Sequence, residues 1–138
     1  MKKEIETFED VQLLVRSFYN KVLEDKTLSH FFSYVRKHHW NKHLSVLDTF
    51  WNNVLFYSGD YHGNPLQVHT ILHHFNNLKN TDFDRWLYLF YQTVDELFEG
   101  EKAELAKQRA MSIATIMRIK ILHADSGNAL PIISANSN

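Results

Sequence analysis

Apolar residues recur every three or four positions along most of the chain, the spacing that places them on one face of an α-helix. Proline and glycine occur only two and four times in 138 residues, so few points interrupt this pattern. The alternation typical of a β-strand is not found over any useful length. The sequence therefore predicts an all-α fold with about five or six helices of very unequal length.

Residues that favour helix ends divide this pattern into segments. Thr7 with Asp10 forms a capping pattern that predicts the start of the first helix. The run from 58 to 65 is a strong breaker, and Asn64-Pro65 at its end predicts a short helical segment that reaches about residue 74. Thr81 with Asp84 predicts another start. A longer helix is predicted over about 38–57. The helix that starts near Thr81 is predicted to end at Gly100, and the last helix begins at 101.

Composition limits the classes of site and partner. The chain has no cysteine, which excludes disulfides, thiolate metal sites and cysteine nucleophiles. Its formal net charge is −1, and without a basic block no nucleic-acid partner is predicted. The N-terminus lacks the pattern of a signal peptide, and no apolar run reaches transmembrane length. We therefore expect no membrane association, a cytoplasmic location, one domain over residues 1–125, and a flexible tail over 126–138.

Histidines and aromatic residues are unusually frequent. The chain has nine His, ten Phe, six Tyr and three Trp, enough to fill a core or to surround a large flat apolar ligand. His69 lies among apolar residues, a setting that suits an axial haem ligand but by itself favours a buried structural histidine. The pairs His69/His73 and His39/His43 support an alternative, a His-rich helical bundle that binds a non-haem metal. No Asp or Glu stands three residues before any histidine, which weakens a carboxylate-bridged di-iron site.

Several short motifs occur in a definite order between about residues 5 and 123. They are Phe18-Tyr19, His43, Phe50-Trp51, Gly59-Asp60-Tyr61, Pro65-Leu66-x-x-His69 and Arg85-Trp86-Leu87-x-x-Phe90. None is specific alone, but the ordered set resembles the truncated haemoglobins, and specifically their third group. The resemblance implies a trimmed globin fold, in which two antiparallel helix pairs cross over each other and enclose haem b (iron protoporphyrin IX).

The resemblance also implies roles for individual residues. His69 matches the proximal iron ligand, and the distal side matches Tyr19, His43 and Trp86. Phe32 matches the phenylalanine that wedges against the haem, with Phe31 as a close competitor. The other implied haem contacts are Leu47, Trp51 and Leu66. His73 and His74 depart from some relatives, and we expect His73 to contact the haem at a propionate.

Such a pocket predicts tight binding of dioxygen and other diatomic ligands. Tyr19 offers an O–H donor, Trp86 an N–H donor, and His43 either a donor or a gate. Donors beside dioxygen slow its release, which favours redox chemistry with nitric oxide or peroxide over transport. Turnover would need an external reductase, because the scattered glycines form no phosphate-binding loop. Whether the chain is an enzyme or a reversible binder stays open. Whether His43 binds the haem iron on the face opposite His69 stays open as well. We expect a monomer or weak dimer.

Overall fold

The computed structural model describes residues 2–57 and 79–125, without the side chains of 33–36 and 120–125. These ranges contain four α-helices and one short 3-10 helix, with no β-strand beyond an isolated bridge between Lys3 and Phe98. None of the helices in the described ranges is long and apolar enough to cross a lipid bilayer. The all-α prediction is confirmed. The elements are α1 (Phe8–Glu24), the 3-10 helix (Ser29–Phe32), α2 (Ser33–Phe56), α3 (Asn80–Leu97) and α4 (Glu101–Asp125).

Two predictions lie outside the described residues. They are the breaker with the following short segment, which carries Leu66, His69 and His73, and the tail over 126–138.

The start of α1 is as predicted, whereas that of α3 is not. Thr7 Oγ1 accepts a hydrogen bond from the Asp10 backbone N–H at 3.1 Å, and the Asp10 carboxylate accepts one from the Thr7 N–H. Helix α3 begins at Asn80, because the Asp82 carboxylate accepts a 2.8 Å bond from the backbone N–H of Lys79. Asp84, which the sequence suggested for this role, pairs instead with a side chain of α4.

Helix α2 is bent at His39. The backbone there leaves helical geometry, with φ −141° and ψ 23°. The straight portion that follows therefore begins close to the predicted start near residue 38. At its other end Tyr57 adopts a left-handed conformation with φ 55°, and its N–H donates to the Asn53 carbonyl at 2.8 Å. The bend separates exposed Lys37 and His38 from the buried face that follows it.

The helices form two antiparallel pairs. Between α3 and α4, Asp95 pairs with Lys107 at 2.8 Å and Asp84 pairs with Arg118 at 2.9 Å, so the partner numbers run in opposite directions. In the same way, Arg16 of α1 pairs with Asp48 of α2 at 2.8 Å, and Tyr19 of α1 meets His43 of α2. Helix α1 also packs on α3, and α2 on α4, which brings the pairs together.

The buried face of α4 agrees only in part with the sequence pattern. That pattern predicts a stripe of Leu105, Ala106, Arg109, Ile113, Ile116, Met117 and Ile121. Ala106 and Met117 are buried, whereas Ile116 is 51% exposed. Among the described side chains of α4, the buried ones are Ala103, Ala106, Ala110, Ala114 and Met117. The alanines let the backbone of α4 approach its neighbours closely, because small side chains leave little between two helices.

Glutamate from the N-terminal segment stabilises the connection between α3 and α4. Gly100 has φ +102°, and a Cβ at this position would overlap the carboxylate of Glu4. That carboxylate accepts a 2.9 Å hydrogen bond from the backbone N–H of Lys102, in the first turn of α4. Glycine is needed here for its backbone conformation, and a side chain would also displace the Glu4 carboxylate from the Lys102 N–H.

Candidate functional site

Tyr19 lies at the centre of a buried cluster where α1, α2, α3 and the 3-10 helix meet. It is 6% exposed, and its ring makes edge contacts with Phe32 at 5.7 Å and His43 at 5.5 Å between centroids. The indole N–H of Trp86 lies near enough to the Tyr19 hydroxyl to favour the ionised form slightly. Burial raises the pKa of the Tyr19 hydroxyl. Tyr19 therefore stays protonated and keeps an O–H to donate.

His43 occupies a pocket with aromatic walls. It is 6% exposed, and its ring lies 5.5 Å from Tyr19, 5.7 Å from Trp40 and 6.4 Å from Phe32. Its Nε2 atom is buried and finds no hydrogen-bond partner among the described residues. Burial lowers the pKa of His43 to about 4, so the imidazole is neutral near pH 7. A buried polar atom without a partner costs about 1–3 kcal/mol, a cost that a polar ligand at Nε2 would offset.

The buried face of α2 continues from His43 through Leu47 to Trp51. Residues four apart lie on one face of a helix, and Leu47 and Trp51 are 5% and 4% exposed. Trp51 stacks on Phe90 at 5.0 Å, and Phe90 stacks in turn on Trp86 at 5.9 Å. The polar atoms of Tyr19, His43 and Trp86 are thus bordered by apolar side chains, the surroundings that a flat apolar group with small polar ligands needs.

The structure brings together most of the described residues that the sequence analysis singled out. Tyr19, His43, Trp86 and Phe32 share one cluster, and Leu47 and Trp51 continue the face that carries His43. Phe32, which competed with Phe31 for the wedge position, is the ring beside Tyr19 and His43.

The sequence analysis missed Trp40. Its ring contacts both Tyr19, at 5.9 Å, and His43, at 5.7 Å. An aromatic residue three positions before His43 falls on the same helix face, and this spacing was the available signal.

The pair His39/His43 does not keep the regular spacing that a chelating pair on one helix requires. His39 lies at the bend of α2 and is exposed, whereas His43 is buried. Within 2–57 and 79–125, no group of three His, Cys, Asp or Glu side chains is placed to hold a metal ion.

Comparison with known proteins decides the family. The chain is 32% identical over 118 residues to "Group 3 truncated hemoglobin ctb" of Campylobacter jejuni, an alignment that covers 83% of this chain and 91% of that protein. It belongs to the group 3 truncated haemoglobins. The crystal structure of a group III truncated hemoglobin from Campylobacter jejuni matches with a TM-score of 0.71 and 29% identity, over 88% of this chain and 95% of that one. No family model matches the chain.

The fold of this truncated haemoglobin agrees with the comparison. Four helices in two antiparallel pairs form the described part of the chain, and the related structure is a truncated globin. The predicted family and fold class are therefore confirmed. Membership also favours the haem interpretation over the His-rich bundle with a non-haem metal.

Burial of neutral His43 predicts that acid destabilises this truncated haemoglobin. Its pKa is about 4 when folded and about 6.5 when unfolded. The unfolded chain thus binds the extra proton first as the pH falls, and the free energy of unfolding decreases below pH 6.5. Between pH 7 and pH 5 we expect this group to remove about 2 kcal/mol. Urea unfolding of wild type and His43→Leu across this range measures the difference in slope.

The exposed histidine at the start of α2 provides the control for this experiment. His38→Gln should keep the full wild-type dependence on pH, because His38 is exposed. Equal slopes in wild type and His43→Leu would show that His43 is not held neutral by burial.

Proposed function

We propose that this truncated haemoglobin holds dioxygen tightly, with Tyr19, His43 and Trp86 as the hydrogen-bonding groups. A truncated haemoglobin is a haem-binding globin, and the donor set fits such a group because its polar atoms converge within apolar walls. The haem iron, when bound, supplies the coordination site for dioxygen and other diatomic gases. We propose haem b as the cofactor, with His69 as the proximal ligand. The proposed haem contacts are Phe32, Leu47, Trp51, Leu66 and His73.

The unpartnered Nε2 of His43 is the observation that carries this proposal. Ordinary core packing explains a buried aromatic ring, but it does not explain a buried nitrogen with no partner among the described residues. A small polar ligand beside Tyr19 would supply the missing hydrogen-bond partner. Neutral imidazole carries its proton on one nitrogen, and with that proton on Nε2 His43 is a third donor beside the Tyr19 hydroxyl and the Trp86 indole.

The three groups stay in their donating forms over the neutral pH range. Burial raises the pKa of Tyr19 and lowers that of His43 to about 4, so neither changes protonation near pH 7. A hydrogen bond to a charged or strongly polarised acceptor contributes about 1.5–3 kcal/mol. One such bond slows ligand release roughly tenfold to a hundredfold.

Slow release makes a poor oxygen carrier. We therefore propose a role in redox chemistry of dioxygen with nitric oxide, or of peroxide, in which these residues hold the reactant and exclude water. Electrons for turnover would come from an external reductase. A cytoplasmic location, a monomer or weak dimer, and a globin domain over residues 1–125 stay predictions.

A substitution at His43 tests the proposal. His43→Leu keeps a side chain of similar size but removes the donor. Because Tyr19 remains to make the strong bond to the polarised oxygen, we expect dioxygen to dissociate roughly twofold to tenfold faster, the effect of one ordinary hydrogen bond of about 0.5–1.5 kcal/mol. Carbon monoxide accepts hydrogen bonds weakly, so its dissociation should change much less. Stopped-flow ligand replacement measures both rate constants in the haem-loaded protein.

The exposed histidine on the same helix is again the control. His38→Leu should leave both rate constants at their wild-type values. If His43→Leu changes the dioxygen and carbon monoxide rates by the same factor, His43 controls access to the pocket and is not a donor, and the proposal for this residue is wrong.

A further inference from the structure

A single carboxylate joins the chain segments that carry the candidate pocket. Asp25 follows the last residue of α1, and its side chain is 8% exposed. One carboxylate oxygen accepts hydrogen bonds from the backbone N–H groups of Thr27, at 3.1 Å, and Leu28, at 3.2 Å. The other accepts a 2.7 Å bond from Nε of Arg85 on α3 and lies 2.7 Å from Nη2 of the same side chain. Asp25 therefore fixes the corner after α1 and the start of α3 together.

Each segment held by Asp25 carries a residue of the pocket. Helix α1 carries Tyr19, the corner leads into the 3-10 helix that ends with Phe32, and Arg85 directly precedes Trp86. Trp86 is held otherwise by ring contacts, at 5.4 Å from Phe18 and 5.9 Å from Phe90. Such contacts tolerate sliding more readily than a hydrogen bond does, because hydrogen bonds weaken steeply with angle and distance.

We propose that the Asp25–Arg85 ion pair is a positioning element that keeps the Trp86 indole in place on Phe18 and Phe90, with its N–H near the Tyr19 hydroxyl. Asp25 and Arg85 touch no ligand and act through Trp86. The consequence for ligand release rests on the proposed function of the pocket, but the positioning of Trp86 does not. Arg85 also lies over the ring of Tyr88 at 5.2 Å, a second contact that keeps its guanidinium in place.

The Asp25–Arg85 pair orients side chains more than it contributes to the free energy of unfolding. The Arg85 side chain is 42% exposed, and ion pairs with an exposed partner contribute little to the free energy of unfolding. Two nitrogens of one guanidinium, Nε and Nη2, approach the same carboxylate oxygen, which fixes an orientation that a single contact would not. Loss of the pair should therefore loosen Trp86 without unfolding the chain.

The ion pair of Asp84 offers a matched control for the Asp25–Arg85 pair. Asp84 is the residue before Arg85 on α3, and its carboxylate also pairs with an arginine, Arg118, at 2.9 Å. This second pair joins α3 to α4. Asp84→Asn thus breaks an ion pair of the same type, in the same turn of the same helix, without releasing the pocket.

The experiment measures Trp86 directly. Asp25→Asn keeps an oxygen for the Thr27 and Leu28 N–H groups but loses the charge that holds Arg85. NMR of the haem-loaded protein under carbon monoxide resolves the indole N–H signals, and Trp86→Phe identifies the one from Trp86. We expect hydrogen exchange at Trp86 to become roughly tenfold faster in Asp25→Asn, with Trp51 unchanged as an internal reference. Dioxygen should dissociate roughly threefold to tenfold faster.

Further variants separate positioning from general loosening. Asp84→Asn should leave both the Trp86 exchange rate and dioxygen dissociation at wild-type values. Arg85→Lys, which keeps the charge but loses the fork, should fall between wild type and Arg85→Gln.

The outcomes distinguish this inference from the function proposed for the pocket. If Trp86 exchange is unchanged in Asp25→Asn, or changes equally in Asp84→Asn, the ion pair does not position Trp86 and the inference is wrong. If Trp86 exchange accelerates while dioxygen dissociation stays constant, the positioning holds, but Trp86 does not control release and that part of the proposed function fails.

Discussion

Replacement of Tyr19 by phenylalanine is expected to accelerate dioxygen dissociation roughly tenfold to a hundredfold, the largest effect of any change in the described pocket. Phenylalanine preserves the ring that packs on Phe18 at 4.7 Å and on Phe32 at 5.7 Å. The change therefore removes the hydroxyl with little disturbance of the core. Stopped-flow replacement of dioxygen by carbon monoxide in the haem-loaded protein gives the rate constant.

Another tyrosine supplies the control for the loss of a hydroxyl. Tyr88 on α3 is 55% exposed, and Tyr88→Phe should leave the dissociation rate unchanged. A wild-type rate in Tyr19→Phe would contradict the donor role of Tyr19. Unchanged rates in both Tyr19→Phe and Trp86→Phe would overturn the proposal for the whole pocket.

The proximity of Trp86 and Tyr19 makes a further result expected from the same experiment. Because the indole N–H lies near the Tyr19 hydroxyl, the two donors would face one ligand side by side, and each would help to orient the other. Removal of either residue then removes part of the contribution of the other. The accelerations in Tyr19→Phe and Trp86→Phe should therefore multiply to more than that of the double variant.

The sequence predicted those features that depend on local spacing. Thr7 and Asp10 are close enough in the chain to form their capping pattern before any tertiary contact exists, and this start of α1 is confirmed. The ordered motifs identified the family, since a set of residues in a fixed order carries more information than any one of them. Tyr19, His43 and Trp86 were singled out in this way and lie together in the structure.

Features that depend on a distant partner could not be predicted from periodicity. Asp84 and Asp82 are equally plausible caps in sequence, and only the presence of Arg118 on α4 decides that Asp84 pairs elsewhere. The same holds for Asp25, whose bond to Arg85 spans 60 positions of the chain. Four of the buried residues of α4 are alanines, because close approach of the helices limits the space, a constraint that the hydrophobicity of the individual residues does not reveal.

The proposed proximal ligand lies outside the described residues, so its test must be chemical. We expect His69→Ala to lose the strong Soret absorbance of the haem-loaded protein, because the change removes the neutral imidazole that we propose as the proximal iron ligand. Added imidazole should restore the band by entering the space that the side chain leaves. Optical titration with haemin, with and without imidazole, measures both results.

His73 provides the matched control, since it lies four positions further along and is proposed to meet a propionate instead of the iron. His73→Ala should keep the Soret band, and free imidazole should have little effect on it. A band retained in His69→Ala would exclude His69 as the essential ligand. A pure wild-type protein that shows no Soret band with haemin would instead revive the non-haem metal alternative. The pocket around Tyr19 and the ligand at His69 are thus tested separately, because a distal donor changes the rate of ligand release whereas the proximal imidazole decides whether the haem is held.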